Sequence, residues 1–182
     1  MVKIFSKIRS SLGEKMLVKK ANMLVRKKHA HNFNTAKTIG IIFEASNKRD
    51  FQLVKEFSKY LTGIHIDCSI LGFVNAKEIS NDLLFRDNTY FFCNKDLDFF
   101  FRPSQPDVNR FLMKNFDILI DLSLVRYFPL SYIISLSPAV FKVGRYTEGN
   151  TELDFMIDIH SQPDLEFLIE QIKYYVSILN NP

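Results

Sequence analysis

The chain has 182 residues, the size of one ordinary domain, and 47% of them are apolar, which supplies a real core and excludes a disordered chain. Its net charge is +4, but residues 1–34 carry nine Lys or Arg against one acid, while residues 35–182 carry fifteen basic and nineteen acidic side chains. No segment approaches the roughly 18 consecutive apolar residues of a membrane span or the roughly 7–15 of a signal peptide core, and two cysteines outside any CxxC exclude a disulfide framework and a zinc site and point to a reducing cytoplasm.

Residues 1–31 follow a helical pattern. Ile4, Phe5, Ile8 and Leu12 share one face before Gly13, and Leu17, Val18, Ala21, Leu24 and Val25 share another after it. The two stripes are offset by about half a turn at 100° per residue. The helix therefore either bends at Gly13 or buries its halves against different things. Lys15, Lys19, Lys20, Arg26 and Lys27 lie opposite the second stripe, which makes an amphipathic helix with a cationic outer face.

From residue 37 on, apolar runs alternate with helical patterns. TIGIIFEA (38–45) reads as a buried strand, followed by a helix capped at Ser46 or Asn47, carrying Phe51, Val54, Phe57 and Leu61, and ended by Gly63. IHIDCSILGFV (64–74) is a second strand, AKEISNDLLF (76–85) a short helix, and TYFFCNK (89–95) a third strand. Pro106 and Asp107 open a helix that Ser104 can cap, and FDILIDLS (116–123) is the fourth strand. A short helix over FPLSYIISLS precedes two more strands at 140–146 and 153–159. The last helix starts with Ser161 as cap and runs to about Leu179.

Continuously apolar strands alternating with helices predict a mostly parallel sheet covered on both faces. The expectation is one three-layer, Rossmann-like α/β domain over residues 35–182, with five or six strands, and a basic helical extension over residues 1–34.

In such a sheet, ligands bind beyond the carboxyl ends of the strands. Those ends carry Glu44, Ser46, Asn47, Asn75, Asn94, Lys95, Asp121, Ser123, Arg145, Tyr146, Asp158 and His160. Glu44 and Asp121 are the carboxylates that could serve as a base, and Asn47, Lys95 and Arg145 the groups that could hold a ligand. Each has a plain alternative as a helix cap or a structural ion pair. The loop after the first strand, FEASNKRD, has no glycine, so no backbone can close on a pyrophosphate there. There is no GxxxxGK[ST], GxSxG, HExxH or EF-hand loop. No cofactor and no metal are expected. Cys93 ends a strand with no histidine near it in sequence and reads as core; His29 and His31 extend the cationic surface, and His65 and His160 read as structural.

The segment NFDILIDLSLVRYFPLSYIISLSPAVFKVGRY (115–146) resembles one in the heptosyltransferase-like glycosyltransferases, where a strand of the form yDlvIDl, a short helix of small and apolar residues and a..riG recur within a Rossmann-like half. The resemblance implies that fold. Those enzymes bind the sugar nucleotide mainly with a second such domain, and a chain of this length holds one; Glu44 lies near the strand end of their acceptor-side acid. The whole chain looks similar to small uncharacterised Bacteroidetes proteins recognisable by the basic N-terminal helix, DILIDLS and VGRYTEGNTELDFMI, a resemblance that implies no activity.

Two functions are carried forward. The first is a non-enzymatic binding protein whose Lys15, Lys19, Lys20, Arg26, Lys27 and Lys28 contact an anionic partner: RNA or the ribosome first, through phosphate contacts without base readout, and an anionic membrane surface as its competitor. The second is a small enzyme or ligand-binding domain acting on a phosphorylated metabolite or nucleotide-sugar among Glu44, Asn47, Lys95, Asp121 and Arg145.

Overall fold

The computed structural model describes residues 2–80, 83 and 88–179, with side chains from residue 9 onward. Six strands form one sheet: β1 (Thr38–Glu44), β2 (Asp67–Val74), β3 (Thr89–Cys93), β4 (Ile118–Asp121), β5 (Phe141–Arg145) and β6 (Phe155–Ile157). Their order is β3-β2-β1-β4-β5-β6, and every neighbouring pair is parallel. The helices are α1 (Val2–Ala21), α2 (Lys48–Gly63), α3 (Pro106–Leu112), α4 (Phe128–Leu136) and α5 (Leu165–Ile178). The strand order reverses between β1 and β4, the switch point of a doubly wound α/β domain.

The two-residue period of a strand sends its side chains to both faces, and both are covered. From β1, Ile39, Ile41 and Phe43 meet Val54, Phe57 and Leu61 of α2 and Leu168, Ile172 and Val176 of α5. Ile42 faces the other way, into a second cluster with Leu71, Phe73, Phe111, Leu119, Leu130 and Ile133. Asp117 ties the start of β1 to β4: its carboxylate accepts from the Lys37 and Thr38 amides at 2.7 and 2.9 Å. Burial opposes ionisation of Asp117, yet these bonds hold it below the usual carboxylate range.

Several boundaries differ from expectation, each for a local reason. β2 starts at Asp67, not at residue 64, because His65 takes a left-handed φ of 65° just after α2. Ala76–Ser80 is not helical, and residues 81, 82 and 84–87 of that predicted helix lie outside the described residues. Asn47 caps α2 as predicted, accepting from the Arg49 amide. α5 is capped by Asp164 through the Phe167 amide, three residues beyond Ser161. α3 has Pro106 in its first turn but no side-chain cap.

The largest difference is at the N-terminus. α1 stops at Ala21, and the chain from Asn22 to Lys37 carries no helix. It runs as a strap across the start of β5, where the His29 amide reaches the Val140 carbonyl at 3.4 Å. α1 itself lies against α4. A Cβ on Gly13 would stand 2.6 Å from the Phe100 carbonyl oxygen and 3.1 Å from the Phe128 ring, so glycine is what permits this approach. Leu17, one turn later, is buried. Arg9 completes the docking: its guanidinium lies 4.4 and 4.5 Å from the Phe99 and Phe101 rings, and Nε donates to the Phe99 carbonyl. The stripe expected from Ile4, Phe5 and Ile8 lies outside the described side chains.

Gly13→Ala tests this contact. Alanine favours an isolated helix by about 1 kcal/mol, but here its methyl would strike a backbone carbonyl. The variant is expected to lose about 1–3 kcal/mol by overpacking, measured as a lower urea midpoint, and to expose residues near Gly13 to limited proteolysis. Unchanged stability and protection would show that α1 is not seated on Phe100 and Phe128.

Candidate functional site

The cations expected on one helix face are divided between two roles. Arg26 has only 8% of its side chain exposed and grips Asp154 with both nitrogens, each at 2.6 Å. Its Nη1 also donates to the Ala139 and Val140 carbonyls. Lys28 reaches the same carboxylate at 3.1 Å, and the Lys142 amide donates to it at 2.9 Å. Burial opposes ionisation of Asp154, but Arg26, Lys28 and the Lys142 amide outweigh it and hold the carboxyl low. Arg26 is therefore an internal clasp, and Lys28 is exposed but engaged.

Lys15, Lys19, Lys20 and Lys27 are exposed; the Lys20 ammonium lies 3.4 Å from the Tyr132 hydroxyl. The exposed face of α1 also carries Leu12 and Val18, which share it with Lys15 and Lys19 at helical spacing. Just beyond the helix, Met23 and Val25 are 75% and 96% exposed. Val18 and Val25, read from the sequence as parts of a buried stripe, point instead to solvent.

The strand-end residues fall into two groups. At the ends of β1, β2 and β3, the Glu44 carboxylate accepts from the amide and hydroxyl of Ser46, Ser46 Oγ accepts from the Asn75 amide, and Asn94 donates to Asn75. Asn47 is occupied as the α2 cap, and Lys95 lies 3.9 Å from Glu78 at the surface. These residues satisfy one another and do not line the cleft described next.

The second group does form a cleft, at the carboxyl ends of β4 and β5 against the start of α4. Asp121, Ser123, Arg126, Tyr127, Arg145 and Glu152 line it, and its volume is about 40 Å3. Gly144 places β5 tightly beside Asp121: a Cβ there would stand 3.1 Å from both the Asp121 Cβ and its carbonyl oxygen. The Asp121 carboxylate accepts from the Ser123 amide at 2.9 Å. Burial pushes Asp121 up to about 6; Ser123 and Arg145 pull against this, and Glu152 adds to it. Ser123 Oγ and Arg145 Nε are buried without a hydrogen-bond partner, the two such side-chain atoms among the described residues. At the rim Arg126 donates to Ser131 Oγ and lies 3.3 Å from Glu152. Of the predicted strand-end residues, Asp121, Ser123 and Arg145 thus come together, while Glu44, Asn47 and Lys95 lie elsewhere. Arg126, Tyr127 and Glu152 were not singled out in the sequence, because they come from loops and a helix start.

Cys93 is buried, its thiol donates to the Lys77 carbonyl, and burial raises its pKa, so it lacks thiolate character. His31 lies 3.2 Å from the Thr35 hydroxyl and His160 pairs with Asp158 at the surface. Among the described residues no cluster of His, Cys, Asp or Glu could hold a metal ion, and no helix is long and apolar enough to cross a membrane.

The all-parallel 3-2-1-4-5-6 sheet, covered on both faces, with its polar cleft at the carboxyl ends, defines a Rossmann-like α/β domain. The chain belongs to the family of unknown function DUF6913, whose profile spans residues 9–179 and so takes in most of α1, the strap and the whole sheet. No curated protein and no solved structure matches it.

Two measurements follow from this geometry. Arg26→Ala leaves Asp154 with Lys28 as its one cation and is expected to cost about 3 kcal/mol in urea unfolding at neutral pH. The folded Asp154 carboxyl is held low, so this stability is present above its unfolded value near 3.9 and fades as pH falls below it. A loss that did not shrink in acid would assign the effect to the Arg26 carbonyl bonds instead. Asp121, followed by carboxyl 13C NMR, is expected to titrate near 6, lower in Glu152→Gln and higher in Arg145→Met. An unshifted midpoint would place its carboxyl in bulk-like water.

Proposed function

We propose that this is a binding protein that rests on an anionic surface through α1 and the strap, and that the surface is a lipid leaflet. The observation that carries the reading is the company its lysines keep. Lys15, Lys19, Lys20 and Lys27 stand among Leu12, Val18, Met23 and Val25, all exposed. Phosphate contacts to RNA call for cations but have no use for bare aliphatic side chains. A headgroup layer takes both: lysines sit over the phosphates while apolar side chains enter the acyl boundary.

Magnitudes agree with a two-part contact. Each lysine near an anionic leaflet contributes about 1 kcal/mol, so four give about 4, which is only millimolar binding. Entry of Val18, Val25, Leu12 and Met23 supplies the rest. The body stays outside, oriented by the clasp between Arg26 and Asp154. The second reading, a phosphorylated metabolite or nucleotide-sugar at the strand ends, has less support, because Glu44, Asn47 and Lys95 do not reach the cleft of Asp121 and Arg145.

The test is vesicle flotation of the full chain. Binding to phosphatidylserine-rich vesicles, absent with pure phosphatidylcholine and reversed by salt, is expected. Lys15→Glu with Lys19→Glu should abolish it, and Val18→Asn with Val25→Asn should weaken it at unchanged charge. No flotation, with nuclease-sensitive co-sedimentation on ribosomes, would replace lipid by RNA. Neither behaviour would mean that the lysines are only solvated.

A further inference from the structure

We infer that the cleft at the ends of β4 and β5 is a seat for a pair of adjacent hydroxyls, the edge of a small polyol or sugar ring, and not for an anion. This site is separate from the lipid-facing surface and does not depend on it.

The starting point is a donor the fold leaves unsatisfied. Arg145 Nε is buried with no hydrogen-bond partner, and the Ser123 hydroxyl, in a residue only 7% exposed, has no neighbour to pair with but the Asp121 carboxylate. A buried donor without a partner is costly, and more so when it is charged. Both residues line the same cleft, which opens at the carboxyl ends of a parallel sheet. Arg145 Nε can only donate. Whatever occupies the cleft must bring it an acceptor oxygen.

The charges decide which oxygen. Asp121, Glu148 and Glu152 line the cleft against Arg126 and Arg145, and Arg126 is already paired with Glu152. A phosphate, carrying a charge of about −1.5 to −2, would gain Arg145 but face the carboxylate of Asp121 directly. A hydroxyl fits both neighbours: its oxygen accepts from Arg145 Nε or Ser123 Oγ while its proton goes to the Asp121 carboxylate. A second hydroxyl on the next carbon would find Glu152 or Ser123 in turn.

Size points the same way. A volume of about 40 Å3 is room for ordered water. An edge bearing two hydroxyls can displace such water and reproduce its hydrogen bonds. Tyr127 gives the cleft an aromatic wall beside which the C–H face of a ring can lie.

The probes are D-ribose and 2-deoxy-D-ribose, each locked as its methyl furanoside so that only the first keeps adjacent hydroxyls, and inorganic phosphate, added separately to the 15N-labelled full chain at neutral pH. Saturable movement of the Ser123 and Arg145 amide resonances with ribose is expected, with 2-deoxyribose at least about tenfold weaker because one buried partner is left unmet. Ser123→Ala and Arg145→Lys should each weaken ribose about tenfold, with the rest of the spectrum superposable. Should Arg145→Lys fail to fold, Ser123→Ala and the deoxy comparison still decide. Lys15→Glu with Lys19→Glu should leave ribose binding unchanged, which separates this site from the lipid surface. Tighter binding of phosphate than of ribose at the same amides would overturn the inference in favour of an anion seat. No movement with any probe would show that ordered water alone fills the cleft.

Discussion

The ion pair between Arg26 and Asp154 joins residues 128 positions apart, and much of the rest is arranged around it. It decides where α1 can end, since Arg26 cannot stay on that helix and also reach the start of β6. It draws the strap over β5. Through the Lys142 amide it also fixes the loop that enters β6. A buried pair of this kind repays its own desolvation only in part, so its value lies in position more than in stability. Arginine suits the task because one planar group spans both carboxylate oxygens and two backbone carbonyls.

Around this clasp the domain keeps more charge inside than a Rossmann-like core requires. Lys142 sits mid-strand on β5, 2% exposed, and its ammonium donates to the Ile134 carbonyl in the last turn of α4. Burial lowers it to about 8, and Arg26 adds to that. The negative end of a helix is the natural counterpart for such a cation. The arrangement seats α4, and α4 in turn carries Gly13 and Leu17 of α1 on its outer side. The N-terminal segment is thus held by the Arg26 clasp, by the close packing at Gly13 and by Arg9 on Phe99 and Phe101, and the side chains left outside are those lysines and aliphatics that none of these uses.

How much of this was legible in the sequence follows from the range of each interaction. The parallel sheet could be read because TIGIIFE and DILID are apolar on both faces, and the α2 cap because Asn47 acts on a residue two away. The end of α1 could not, because LVRKKH keeps helical spacing and what overrides it is Asp154. Ser161 looked like the cap of α5, but after Pro163 the carboxylate of Asp164 is nearer the first free amides. At the strand ends, Asp121, Ser123 and Arg145 were found by topology. Glu44, Asn47 and Lys95 came by the same rule and lie apart, because side chains on neighbouring loops satisfy each other first. The glycosyltransferase likeness expected for residues 115–146 is supported by no match, and its positions, such as Ile118, Leu119, Ile120, Phe141 and Val143, are buried in this core.

The last strand is short. β6 closes one side of the sheet with three residues, and β3 closes the other with five. An edge strand offers unpaired donors and acceptors to any passing chain. At β6 that offer is brief: the Phe155 ring lies within reach of Phe141 and Tyr175, and the strand gives way at once to Asp158 and His160. Two copies meeting edge to edge would find too few rungs to add a seventh strand. At this edge the chain therefore favours the closed sheet over the growth of a continuous ribbon.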